Sequence, residues 1–317
     1  MACFKALASG DAIGKQTETL SHSDVRRWYP DGISGFQGRP GDPIPRYRGN
    51  FRYEWRIVET TDDTEQTIAV ARSLLGSHGV SHTAVGSELL KCRKSIHPDL
   101  SIWEFHRLDD PSRIASEGDG CGAAMRVAPV GVLYSPKRWD ELVRGAYESS
   151  IPTHGGSLAI CAAAAVAGAI SGALRGQPAA DVLHLAIKAA QDAEAFTGAP
   201  EVRDSPNIAV LIQEMHADLS GRHALTVDDL AEKYFPDSND IKVPLAINLA
   251  LLTDSVQQTV LLAANLGGDA DSVASIGAAI AGAIHPNTVN EAWFGVIEAV
   301  NEDDIVGIAQ ALAELRC

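Results

Sequence analysis

Residues 265–283 read NLGGDADSVASIGAAIAGA: two glycines, two aspartates and a serine, then a helix built almost wholly of small side chains. A helix this apolar on every side must lie deep, its backbone close against other backbones. Gly267 and Gly268 permit a tight turn before it. Asp269, Asp271 and Ser272 then crowd three oxygen donors into the opening turn, a set suited to a hard cation. Alone, the same pattern is that of an ordinary helix start, with Asp269 as N-cap and Asp271 favoured by the helix dipole.

A second stretch shifts the balance toward a site. Thr61-Asp62-Asp63-Thr64 precedes the helical apolar pattern Ile68, Ala69, Ala71, Leu74 and Leu75. Adjacent aspartates in one first turn repel unless solvent or a cation screens them. The two acidic starts lie about 200 residues apart in the chain, and they are expected to meet in space and hold a pair of divalent ions.

Composition narrows the classes. With 45% hydrophobic residues among 317, the chain can bury a large core. A formal charge of −15 and a pI near 5.0 argue against a nucleic-acid backbone or an anionic membrane as partner. The cysteines (Cys3, Cys92, Cys121, Cys161 and Cys317) are five in number, scattered, and without CxxC spacing. They read as free thiols of a cytoplasmic protein. The opening MACFKALASGD shows no charged segment followed by a long apolar run, hence no secretory signal. The uncharged stretch LAICAAAAVAGAISGAL, residues 158–174, is short for a membrane span and reads as a buried central helix.

Periodicity predicts an all-α fold, a compact single domain over residues 1–317. Helices are expected at 62–76, 81–94, 137–149, 156–174, 178–193, 205–219, 226–233, 241–252, 254–265, 270–284, 288–300 and 303–315. Residues 2–9 are expected to form a short helix ending in a turn at 10–14. Residues 21–60, rich in glycine, proline and aromatics, read as a long ordered arm on the substrate side. Within the arm, 51–57 alternates like a short strand. Tyr47, Phe51, Tyr53 and Trp55 offer either a stacking face for a purine or pins holding the arm to the core. Arg46, Arg48 and Arg52 are either partners for a diphosphate or solvated.

Two glycine-bearing loops lead into helices. Glu117-Gly118-Asp119-Gly120-Cys121-Gly122 can present several backbone N–H groups to a phosphate, and Thr153-His154-Gly155-Gly156-Ser157 opens the alanine-rich helix in the same manner. Gly120, Cys121, Gly122, His154, Gly155, Gly156 and Ser157 are therefore candidate substrate contacts. A lone histidine is more often a core or capping residue; His154 stands out because glycines and a helix start accompany it.

The chain resembles the ADP-ribosylglycohydrolases. The likeness rests on Gly10-Asp11-Ala12-Ile13-Gly14 with Glu18 four residues later, on Thr61-Asp62-Asp63-Thr64, on Gly122-Ala123-Ala124-Met125-Arg126-Val127-Ala128-Pro129, and on Gly268-Asp269-Ala270-Asp271-Ser272. These blocks stand in the family's order across residues 10–283. The resemblance implies a helical bundle with a central binuclear cleft holding two divalent cations, Mg²⁺ or Mn²⁺. Carried over position by position, the metal ligands would be Thr61, Asp62, Asp63, Asp269, Asp271 and Ser272, with Glu18 the catalytic acid or base on a potentially mobile loop. The implied reaction is release of ADP-ribose from a modified protein side chain, arginine foremost. Ala270, Cys121 and Gly155-Gly156 depart from the family's usual residues. They keep two alternatives open: hydrolysis of a small N-riboside or nucleotide, or a noncatalytic relative that binds ADP-ribose.

Overall fold

The computed structural model describes residues 1–49, 54–77, 79–94, 100–197 and 207–316. Its helices are α1 (Ala2–Gly14), α2 (His22–Trp28), α3 (Asp62–Ser77), α4 (His82–Leu89), α5 (Leu100–Leu108), α6 (Gly122–Met125), α7 (Ala128–Leu133), α8 (Trp139–Ser150) and α9 (Ser157–Ala173). They continue with α10 (Ala179–Ala193), α11 (Ile208–Ser220), α12 (Val227–Tyr234), α13 (Asn239–Leu252), α14 (Val256–Ala264), α15 (Ala270–Ile284), α16 (Glu291–Val300) and α17 (Ile305–Glu314). No strand occurs among the described residues, so the fold is all-α. No helix of the described residues is long and apolar enough to cross a membrane.

The small-residue helix α15 is the centre of the packing. Every residue from Ala270 to Ala283 is buried. A side chain at Gly10 would overlap the Ala274 carbonyl, and one at Gly14 the Ala270 carbonyl, so α1 lies directly on the α15 backbone. On another side, a Cβ at Gly277 would come within 3.1 Å of the Ala246 carbonyl of α13 and 3.0 Å of Thr259 of α14. The alanine-rich α9 is a second buried axis: each of its residues from Leu158 to Ala173 is buried. It comes close to α10 at Gly168, where a Cβ would stand 2.7 Å from the Leu185 carbonyl.

Several expectations are revised. The first helix does not stop for a turn at 10–14 but runs through Gly14, because Gly10 and Gly14 serve close approach to α15 rather than chain reversal. The helices α2, α5, α6 and α7 lie outside the ranges expected. α2 is short and polar but carries an N-cap, the Ser21 hydroxyl accepting from Asp24 N at 3.2 Å. The helix expected over 81–94 ends at Leu89.

The described part of the arm between α2 and α3 has little repeating structure. Its extended piece is a short antiparallel pairing, with Ile44 N donating to Trp55 O at 2.8 Å and Ile57 N to Asp42 O at 2.8 Å. Phe51, Arg52 and Tyr53 lie outside the described residues. Tyr47 and Trp55 are both buried, the Arg46 guanidinium lying 4.0 Å from the Tyr47 ring centroid and the Lys15 ammonium 4.5 Å from that of Trp55. These two aromatics pin the arm to the core; they are not an open stacking face.

Candidate active site

The two acidic turns are drawn together through α15. Ser275, one helical turn beyond Asp271, donates its hydroxyl to Asp63 Oδ1 at 2.5 Å. Residues four apart share a helix face, so the α3 turn sits against the face that carries Asp271. Asp62, Asp63, Asp269, Asp271 and Ser272 all border one cleft of about 550 Å³. Thr61 sits behind them, its hydroxyl accepting from Asp63 N at 3.2 Å. Beneath lies Asp11, fully buried, whose carboxylate accepts from Thr61 N at 3.0 Å, from Thr64 N at 3.1 Å and from the Thr64 hydroxyl. That network fixes the entrance to α3 from a residue of α1.

Asp269 does not cap α15, although it occupies the N-cap position. The turn before it is the one the glycines permit, with Gly267 at φ 88° and Gly268 at φ 62°, and it swings the carboxylate into the cleft. There Asp269 Oδ2 accepts from the Lys242 ammonium at 2.7 Å and from the Cys121 thiol at 3.2 Å. Burial works to raise the Asp269 pKa, but Lys242 outweighs it and holds the group below the usual carboxylate range. Burial likewise disfavours the Lys242 ammonium, and the surrounding Cys121, Asp269 and Asp271 overcome that and raise its pKa.

Asp63 and Asp271 come out on the other side of that balance. Burial pushes both well above the ordinary carboxylate range, and neighbouring acids push further: Asp11 and Asp62 on Asp63, Glu18 and Asp63 on Asp271. Asp271 Oδ1 is buried without a hydrogen-bond partner among the described residues. A buried carboxylate oxygen facing other carboxylates either takes up a proton or is offset by a cation. Among the described residues no three of His, Cys, Asp and Glu form a group able to hold an ion by themselves. An ion there would also draw on the Thr61 and Ser272 hydroxyls and on water or substrate oxygens.

Glu18 lines the same cleft. It is 6% exposed, and its carboxylate accepts from the Tyr47 hydroxyl at 3.5 Å. The next residue, Thr19, sits at φ 63°, an uncommon conformation for a β-branched side chain. Two backbone bonds hold it there: Thr19 N donates to Gly268 O at 2.7 Å, and Gly268 N to Leu20 O at 2.8 Å. The glutamate is thereby tied to the turn that delivers Asp269 and Asp271.

Another part of the wall carries Gly120, Cys121, Gly122 and His154. Gly122 is required to be small, since a Cβ there would come within 2.7 Å of the His154 ring. Gly155, Gly156 and Ser157 are not on the wall. The first two brace it from behind, Gly155 N donating to Glu117 O at 2.9 Å and Gly156 N to Gly118 O at 3.1 Å. Behind His154, the fully buried Arg126 donates to Thr153 Oγ1 at 2.7 Å, and that hydroxyl stands 2.7 Å from His154 Nδ1. Arg126 also reaches Gln66 of α3 at 2.8 Å.

Three participants were not singled out by the sequence reading. Lys242 had one available signal, a lone cation heading the otherwise apolar run IKVPLAINLALL. Arg126 falls within a block that carries the resemblance and Lys15 had no signal; a lysine or arginine is mostly exposed, and only the fold reveals that these two are buried.

Comparisons with known proteins bear on the family and the fold. A sequence profile of the ADP-ribosylglycohydrolases matches residues 1–317. The uncharacterized protein YegU of Escherichia coli K12 is 28% identical, covering 98% of this chain and 94% of that protein. The ADP-ribosylhydrolase ARH3 of mouse is 27% identical over 98% of this chain and 90% of its own length. A solved structure described as an ADP-ribosylglycohydrolase-related protein complex superposes with a TM-score of 0.69 at 22% identity, covering 100% of this chain and 97% of that one, a likeness of fold. By the match along its whole length, this chain belongs to the ADP-ribosylglycohydrolase family.

Proposed function

We propose that the protein hydrolyses the glycosidic bond between ADP-ribose and a modified protein side chain, arginine foremost, with two divalent cations in the cleft. The observation that supports this most directly is the partnerless, buried Asp271 Oδ1 beside Asp63 and Glu18. Thr61, Asp62, Asp63, Asp269, Asp271 and Ser272 would hold the ions. When bound, Mg²⁺ or Mn²⁺ supplies Lewis acidity and a fixed hold on the hydroxyls of a ribose cis-diol.

The chain's own groups do the rest. Glu18, buried and steadied by Tyr47, is placed to move a proton between water and the reacting sugar. His154 and the backbone of Gly120–Gly122 line another part of the wall, where N–H groups suit the diphosphate. Water adds at the anomeric carbon, the bond from that carbon to the side-chain nitrogen breaks, and free ADP-ribose and arginine leave.

Incubation with ADP-ribosyl-arginine peptide and Mn²⁺ should release ADP-ribose. Asp271→Asn and Glu18→Gln should each lower the rate by about a hundredfold or more, the scale of a lost proton-transfer or charge-stabilising group. ADP-ribosyl-serine peptide and free nucleosides, run in parallel, read out the leaving group. Wild-type rates in both variants would refute the mechanism.

A further inference from the structure

The feature of the cleft that the proposed chemistry leaves unused is Lys242. It projects from the first turns of α13 into a ring of acids, and its ammonium is 2.7 Å from Asp269 Oδ2 with the side chain 14% exposed. The same oxygen accepts from the Cys121 thiol. One candidate metal ligand is thus already engaged by a protein cation, while Asp271 Oδ1 is buried with no hydrogen-bond partner among the described residues.

From this asymmetry we infer that Lys242 is a built-in competitor for one of the two ion positions, so that the centre binds a first divalent cation tightly and a second only by displacing the Lys242 ammonium from Asp269. This rests on the metal-dependent reading above. An ion settling among Asp63, Asp271 and Ser272 need not break the Lys242 ion pair, which is made to Asp269. One settling on Asp269 must either displace the ammonium or share a carboxylate with it at close range, where like charges repel strongly in a site shielded from water. Lys242 is therefore a residue that sets metal affinity and stoichiometry. It needs no contact with the reacting atoms.

The test is calorimetric titration of the metal-free, full-length protein with Mn²⁺, with the bound Mn²⁺ counted by electron paramagnetic resonance. Wild type should show one tight site and a second at least about tenfold weaker. In Lys242→Gln the weaker site should tighten by about tenfold or more, bringing the two dissociation constants together, whereas Lys242→Arg, which keeps the charge, should retain the wild-type gap. Circular dichroism checks that both variants are folded. Two equal sites in wild type, or a gap unchanged in Lys242→Gln, would overturn the inference and leave the metal-dependent reading standing. No Mn²⁺ uptake by wild type or either variant would overturn both.

Discussion

Lys15 shows how far a single side chain can depart from what its type suggests. It is fully buried, its ammonium donating to the Glu59 carbonyl and facing the Trp55 ring. Burial lowers its pKa to about 8 despite the opposing pull of Asp11 and Glu59. The unfolded chain, with an ordinary lysine, binds the proton more tightly than the native one between about pH 8 and 10.5, so in that window Lys15 makes stability rise with pH. Below it the full cost of holding the charge in the interior applies, on the order of 3 kcal/mol. Urea denaturation of wild type and Lys15→Met across pH 7–10.5 should show the difference in their stabilities moving in favour of wild type as pH rises. A difference independent of pH would contradict the assignment. Arg126, equally buried, donates to the Thr153 hydroxyl, which in turn stands 2.7 Å from His154 Nδ1. Neither arrangement was legible in the sequence, where GDAIGK and MRVAP give residue order but no distance.

At the level of elements, α1 and α15 form the pair on which the cleft is built. The small residues of α15 announced deep packing, and the acidic starts of α3 and α15 announced where chemistry would sit. What faces them was hidden, since Gly10 and Gly14 find their partners some 260 residues along the chain. In isolation GDAIG reads as a turn; only contact with the Ala270 and Ala274 carbonyls shows it to be helix. Gly14→Ala should therefore destabilise the protein by about 3 kcal/mol, at the upper end of overpacking costs. Gly76→Ala near the end of α3, where a Cβ meets nothing within 4 Å, should stabilise by up to about 1 kcal/mol. Denaturant midpoints measure both, and a neutral Gly14→Ala would contradict the close approach. The loops tell a similar story. Gly155 and Gly156 were read as substrate contacts from their position before α9, yet they fit the back of the 115–119 segment, because a glycine pair signals that something comes close without saying what.

Across the whole molecule the acids are unevenly compensated. Many surface carboxylates pair with a base, as Asp218 does with Arg222 and Lys233, whereas Asp63 and Asp271 are buried against other acids. A cation that binds only the native state stabilises it by mass action, about 2.7 kcal/mol at a hundred times its dissociation constant. Mn²⁺ should accordingly raise the thermal midpoint of the wild type at constant ionic strength, chelator should reverse the rise, and Asp271→Asn should remove most of it. An equal rise in that variant would point to general screening of the −15 charge instead. The all-helical class and the order of the acidic blocks were readable because periodicity and spacing are local properties of a chain. The reciprocal bonds between Thr19, Leu20 and Gly268 are not local, and they stitch two distant segments into one rigid strip. Damage anywhere along that strip travels: a substitution at Gly268 and one at Glu18 should fail to add in a double-mutant cycle, each having already spoiled the alignment the other depends on.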